Sequence, residues 1–87
     1  MAHDQLERAS EELRAAAELA TGEAADRLSS QADTVEKLAA TGADHGRLAR
    51  HENALREIKA DADEAVVDHI DEAMSAITAY RETIDGV

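Results

Sequence analysis

Apolar residues recur along the chain at intervals of three and four positions, which is the period of one face of an α-helix. This seam, which also includes the polar residues Gln31 and His51, comprises Leu6, Ala9, Leu13, Ala16, Ala20, Ala24, Leu28, Gln31, Val35 and Leu38 in the first half, and Leu48, His51, Leu55, Ile58, Ala62, Val66, Ile70, Ala73, Ile77, Tyr80 and Ile84 in the second. The two runs match at an offset of 42 positions, and both contain the same irregularity of three successive four-residue steps. A shared irregularity indicates an internal repeat of two similar halves.

The segment between the two halves contains the clearest break in the pattern. Thr41 and Gly42 interrupt the seam, and Asp44 is a residue type that caps the start of a helix. Because alanine, leucine, glutamate and arginine dominate elsewhere and proline is absent, we predict an all-α protein. The predicted organisation is a single helical domain over residues 1–87, with a helix over about 4–40, a loop over about 41–44 and a helix over about 45–84.

Whether each half is one helix or two depends on the four-residue steps. They keep the seam in phase across Gly22 and across residues 61–63, so a continuous helix loses no buried position there. The favoured fold is therefore an antiparallel helical hairpin of two long helices, in which small seam residues face large ones, as Ala9 would face Ile77. Four short helices, broken at the same two points, are the alternative.

A hairpin of two helices leaves an apolar flank beside the seam. This flank includes Leu19, Ala25, Ala32, Val67 and Met74. A homodimer in the form of a four-helix bundle would bury these side chains, and two-fold symmetry is the commonest way for a chain to associate with itself. We therefore predict a homodimer with these residues in its interface.

The charge of the chain indicates its environment. There are 20 acidic residues against 9 basic ones, a formal net charge of −11, and Lys37 and Lys59 are the only lysines. An acidic, lysine-poor composition is typical of proteins adapted to molar salt, and the same charge disfavours binding to nucleic acids. The absence of cysteine excludes thiol chemistry and cysteine-based zinc sites. No apolar run resembles a signal peptide or a membrane span, so we expect a cytoplasmic protein with no membrane partner.

Residues 45–60 form a basic stretch in this acidic chain. The candidate contacts with a partner or an anion are Arg47, Arg50, His51 and Arg56, the first three of which lie close to a predicted helix start whose free N–H groups attract anions. The favoured interpretation is that these arginines pair with acidic residues of the other helix, such as Asp33 and Glu36. His51 is expected to be a partly buried seam residue that forms a hydrogen bond.

The sequence shows no motif for catalysis. Its glycines are isolated, and no nucleophile lies in the context that an enzyme requires, so we expect no enzymatic activity and no cofactor or metal. The expected function is a structural or protein-interaction module, salt-adapted and homo-oligomeric. The alternative is a regulatory or nucleic-acid-associated protein that uses the basic stretch 45–60.

Two segments carry a resemblance to a known family. Residues 44–57 read DHGRLARHENALRE and residues 79–87 read AYRETIDGV. With these segments the chain resembles a family of small, uncharacterised acidic helical proteins of halophilic archaea. The resemblance implies a salt-adapted cytoplasmic protein and brings no assigned activity, cofactor or site residues.

The net charge generates a first prediction. Helicity and the thermal midpoint should rise as KCl increases from about 0.1 M to about 2 M, because salt screens the repulsion among excess carboxylates. Circular dichroism melts across this range measure the effect. A flat or falling midpoint contradicts the salt-adapted interpretation.

Overall fold

The computed structural model describes residues 3–84, and within them the chain forms four α-helices and no strand. Helix α1 spans Asp4–Leu19, α2 spans Gly22–Thr41, α3 spans His45–Ala60 and α4 spans Glu64–Arg81. None of these helices is both long and apolar enough to cross a membrane. The all-α prediction is confirmed. The expected cap is also present, since the Asp44 side chain accepts a hydrogen bond from the Arg47 backbone N–H at 2.8 Å.

The helices form an up-and-down four-helix bundle in which α1 and α3 occupy opposite corners. Neighbouring helices are antiparallel. Along α1 and α4, for example, the rings of His3 and Tyr80 lie 5.9 Å apart, and nine residues further along the chain Glu12 contacts His69. The connections between successive helices are only two or three residues long. The described chain measures 37 × 20 × 17 Å, as expected for helices of up to 20 residues with a rise of about 1.5 Å per residue.

The prediction of two long helices is wrong, and the alternative of four short helices fits the structure. Between α1 and α2 the backbone of Ala20 and Thr21 is extended, and Gly22 has a φ of 61°, in the left-handed region that favours glycine. The second half breaks at the matching place, between Asp61 and Asp63. The four-residue steps coincide with these turns. They keep seam residues on the buried face across a turn as well as within a helix. The spacing of the seam therefore does not distinguish one long helix from two short helices in each half.

The seam nevertheless identifies the core, since its residues are buried or half-buried throughout the described chain. The buried face is wider than the seam. It also includes Ser10, Ala32, Ala39, Glu52 and Ala76. In a bundle each helix packs against two neighbours, so a second stripe beside the seam is covered as well.

This second stripe removes the reason for the predicted dimer. Of the five residues assigned to its interface, Ala32 is fully buried, Met74 packs against the core, and Ala25 and Val67 are half-buried. Only Leu19 among them is exposed, at 51%. One chain thus completes by itself the four-helix bundle that the sequence assigned to two chains, and the structure does not support a dimer built on this flank.

Helix α1 is packed more tightly than α3. The backbone of α1 follows those of α2 and α4 closely, whereas α3 approaches the same two helices at fewer points. The buried face of α1 includes Ala9, Ser10 and Ala16, which let neighbouring backbones come close. The buried face of α3 carries larger side chains, namely Leu48, Glu52, Leu55 and Ile58. These larger side chains accompany the wider spacing of α3, which has an open groove on each of its sides.

The conformation of Gly22 gives a prediction that distinguishes four helices from two. Gly22→Ala should destabilise the protein by about 1–2 kcal/mol, because the Cβ atom of an alanine strains the backbone by about that much in the left-handed region. An added Cβ would meet no atom within 4 Å, so the effect comes from the backbone alone. Urea denaturation of the variant and the parent gives the sign and the size.

Gly46→Ala is the matched control. Gly46 lies inside α3 without a positive φ, and an added Cβ would lie 3.6 Å from Asp44 Oδ1, an ordinary contact. This change should be neutral or stabilise by up to about 1 kcal/mol. Stabilisation by Gly22→Ala would contradict the break at Gly22 and support one continuous helix across the first half.

Candidate functional site

A groove between α2 and α3 brings together three of the four predicted contact residues. This open groove of about 320 Å³, named here the α2–α3 groove, is lined by Gln31, Thr34, Leu38, Arg47, Arg50 and His51. The cap at Asp44 fixes where α3 begins, and their spacing of three residues places Arg47 and Arg50 one turn apart on its surface. The fourth predicted residue, Arg56, does not line the groove. It is exposed and donates a hydrogen bond to Asn53 Oδ1 at 2.9 Å.

The guanidinium groups of Arg47 and Arg50 form no ion pair with any residue from 3 to 84. The predicted pairing of these arginines with Asp33 and Glu36 is wrong, because both carboxylates bind Arg14 of α1 instead, Asp33 at 3.1 Å. The hydrogen bond to Glu36, and to a smaller extent the hydrogen bond to Asp33, raise the pKa of Arg14. The two carboxylates therefore serve the contact with α1, and the groove keeps its positive charge.

Most other basic side chains of the bundle are paired with acids on neighbouring helices. Those in such ion pairs are Arg8, Arg14, Arg27, Lys59 and Arg81. Apart from the two groove arginines, only Lys37 and Arg56 have no acidic partner within the described residues. The α2–α3 groove therefore holds adjacent, uncompensated positive charges on a chain whose net charge is −11.

His51 links the two walls of the groove, and the expectation that it is partly buried and hydrogen-bonded is confirmed. Its Nδ1 lies 2.5 Å from Gln31 Oε1 on α2. An amide oxygen only accepts hydrogen bonds, so Nδ1 carries the proton and donates it. Burial lowers the pKa of His51, because desolvation disfavours the imidazolium form. At neutral pH the groove thus presents two charged arginines beside a neutral imidazole.

A buried polar cluster between α3 and α4 was missed by the sequence analysis. Glu52, only 7% exposed, accepts hydrogen bonds from Arg81 Nη1 at 2.5 Å and from Thr78 Oγ1 at 3.5 Å. Arg81 Nε also donates to Nδ1 of His45 at 3.1 Å. These partners are far apart in the sequence, and the one available signal was that Glu52 adjoins the seam residue His51. The cluster anchors α3 to α4 on the side away from the groove.

The donors of the α2–α3 groove suit an anionic side chain. A guanidinium presents parallel N–H donors that match the two oxygens of a carboxylate. Thr34 Oγ1 donates to the Ser30 carbonyl at 3.1 Å, so towards a ligand it offers an acceptor. Within the part of the chain that the structure describes, no three histidine or acidic side chains are grouped so that they could hold a metal ion. The groove is equipped for binding an acidic group.

The environment of His51 gives a prediction about pH. Its folded pKa lies below its unfolded value of about 6.5, so as pH falls below that value the unfolded chain takes up the proton first. The contribution of His51 to stability is therefore complete above about pH 6.5 and declines below it. Between pH 7.5 and 5.5 the parent should lose more free energy of unfolding than His51→Gln, by at most about 1.4 kcal/mol per pH unit.

Urea denaturation at the two pH values measures this difference, and the other histidines cancel because both proteins contain them. An imidazole ¹⁵N spectrum of the parent provides an independent check, since it should show His51 protonated at Nδ1. A parent and a variant with the same pH dependence would contradict the assignment of His51 as a buried, neutral imidazole.

Comparison with known proteins places the chain in a family. No curated protein and no solved structure matches it. Residues 1–83, nearly the whole chain, match the Family of unknown function (DUF7553). This is in line with the resemblance to a family of uncharacterised proteins. The chain, with its four-helix bundle and its arginine-lined groove, belongs to the DUF7553 family.

Proposed function

We propose that this protein is a non-enzymatic, cytoplasmic protein-interaction module, adapted to high salt, that binds a partner protein through the α2–α3 groove. The observation that supports the proposal is the pair Arg47 and Arg50, left without ion-pair partners among residues 3–84 while most other bases are paired. Such arginines are ready to form charge-assisted hydrogen bonds with the carboxylates of another molecule.

The partner is a different protein rather than a second copy of this chain. The apolar side chains that favoured self-association are largely covered in one chain, Ala32 completely. A foreign acidic segment needs only to fit the groove, where the local charge is positive.

Binding to nucleic acid through the same arginines is the second candidate function. Arg47 and Arg50 are exposed and lie near the start of α3, as in proteins that contact phosphates. A nucleic acid, however, extends well beyond a groove of about 320 Å³ and would face the acidic surface around it. Protein binding is therefore the favoured function, and the experiment below separates the two.

The test is photo-crosslinking in the source cells. A benzophenone amino acid replaces the exposed Thr34, which lines the groove, and the full chain carries an affinity tag. We expect one discrete protein adduct. Arg47→Glu should remove it, because reversing one charge opposes an acidic partner. Mass spectrometry identifies the adduct.

Arg56→Glu is the matched control, since it makes the same change of charge on the same helix outside the groove. It should leave the adduct in place. A nucleic-acid adduct supports the second candidate function. The proposal fails if there is no adduct, or if the same adducts form with Arg47→Glu as with the parent.

A further inference from the structure

The size of the α2–α3 groove limits what it can hold. Its volume of about 320 Å³ is at the lower end of ligand pockets, enough for a few side chains rather than a whole helix. Along α3 it extends only from Arg47 to His51, which is about 6 Å at the rise of an α-helix. The segment that enters it is therefore about one helical turn long.

The two walls of the groove differ in charge. Arg47 and Arg50 lie on the α3 wall at a spacing of three residues, which places their Cβ atoms about 5–6 Å apart. The α2 wall is neutral, because it consists of Gln31, Thr34 and the edge of Leu38. The Oε1 atom of Gln31 is already occupied by His51. All of the positive charge thus lies on one wall, at the spacing of one helical turn.

We propose that the partner presents one turn of helix with two carboxylates three or four positions apart, each received by one of the two arginines. This inference rests on the proposed function and specifies the chemistry of the partner. Side chains three or four positions apart on a helix are separated by the same 5–6 Å or so as Arg47 and Arg50. A small apolar side chain between the carboxylates faces Leu38 and the imidazole of His51.

High salt makes this geometric match more important. At molar salt the Debye length is about 3 Å, so attraction between distant charges is lost. A bidentate contact between a guanidinium and a carboxylate spans about 2.7–2.9 Å and lies within that length. Selectivity then depends on carboxylates placed at contact distance from both arginines, and net negative charge on the partner contributes little.

The experiment titrates the ¹⁵N-labelled full chain at about 2 M KCl, where the Debye length is shortest. The probe is an alanine-based helical peptide with two glutamates three positions apart. The comparison peptide has the same composition with the glutamates two positions apart, which puts them on different faces of the helix. We expect the first peptide to shift amide signals of residues 31–38 and 47–51, and to bind at least about tenfold more tightly than the second, a difference of about 1.4 kcal/mol.

Variants of the protein test the same match. The double variant Arg47→Lys/Arg50→Lys keeps both positive charges but lacks the parallel N–H donors of a guanidinium. It should therefore bind the first peptide several-fold more weakly than the parent. Arg56→Lys, on the same helix outside the groove, should leave binding unchanged. Since Arg47, Arg50 and Arg56 are all exposed, circular dichroism should show that these variants fold like the parent.

Equal affinity for the two peptides, or no shift in the groove with either, overturns the inference. So does a single-stranded oligonucleotide that binds the same residues more tightly than the first peptide. If the cross-linking experiment yields its protein adduct and the peptides fail, only the chemistry assigned to the partner is wrong. If the adduct is also absent, the interaction function itself fails.

Discussion

The small side chains on the buried face of α1 determine where the other helices lie. Ala9 and Ala16 are completely buried and let the backbones of α2 and α4 approach α1 closely. Helix α3, at the opposite corner, meets the same two helices with leucine, isoleucine and the buried Glu52, and so lies further out. The asymmetry between two halves with the same seam thus arises from side-chain size. The α2–α3 groove lies beside this less closely packed helix.

The sequence predicts the core of this fold better than its helices. The seam depends on which side of the backbone faces the interior, and burial confirms it from Leu6 to Tyr80. The number of helices depends on local backbone conformation at two places. At Gly22 the glycine permits the break but does not require it, and between Asp61 and Asp63 no glycine marks the break. The width of the buried face was also underestimated, since it depends on the number of neighbouring helices. Ala32 was placed in a dimer interface for that reason, and it lies in the core of one chain.

The sequence predicted most of the residues that form the candidate site, but the ion pairs predicted for its arginines were wrong. Sequence position alone identifies Arg47, Arg50 and His51 as one cluster, because residues three and four positions apart lie on the same face of a helix. Which acids neutralise which bases depends on distances between helices, which the sequence does not contain. Arg14 takes both carboxylates that had been assigned to the groove arginines. The groove keeps its positive charge because none of the described acidic residues lines it.

Tyr80 connects parts of the chain that are far apart in sequence. Its hydroxyl accepts a hydrogen bond from the Ala43 backbone N–H at 3.2 Å, and its ring lies 5.9 Å from that of His3. The start and the end of the described chain therefore lie at one pole of the bundle. A force that pulls these two ends apart would break the contacts between α1 and α4 one after another. Such a force is smaller than the force needed to break all of these contacts at once. The same closeness of the ends suits the bundle to insertion into a surface loop of a larger protein, because the host chain would need to bridge only a short gap.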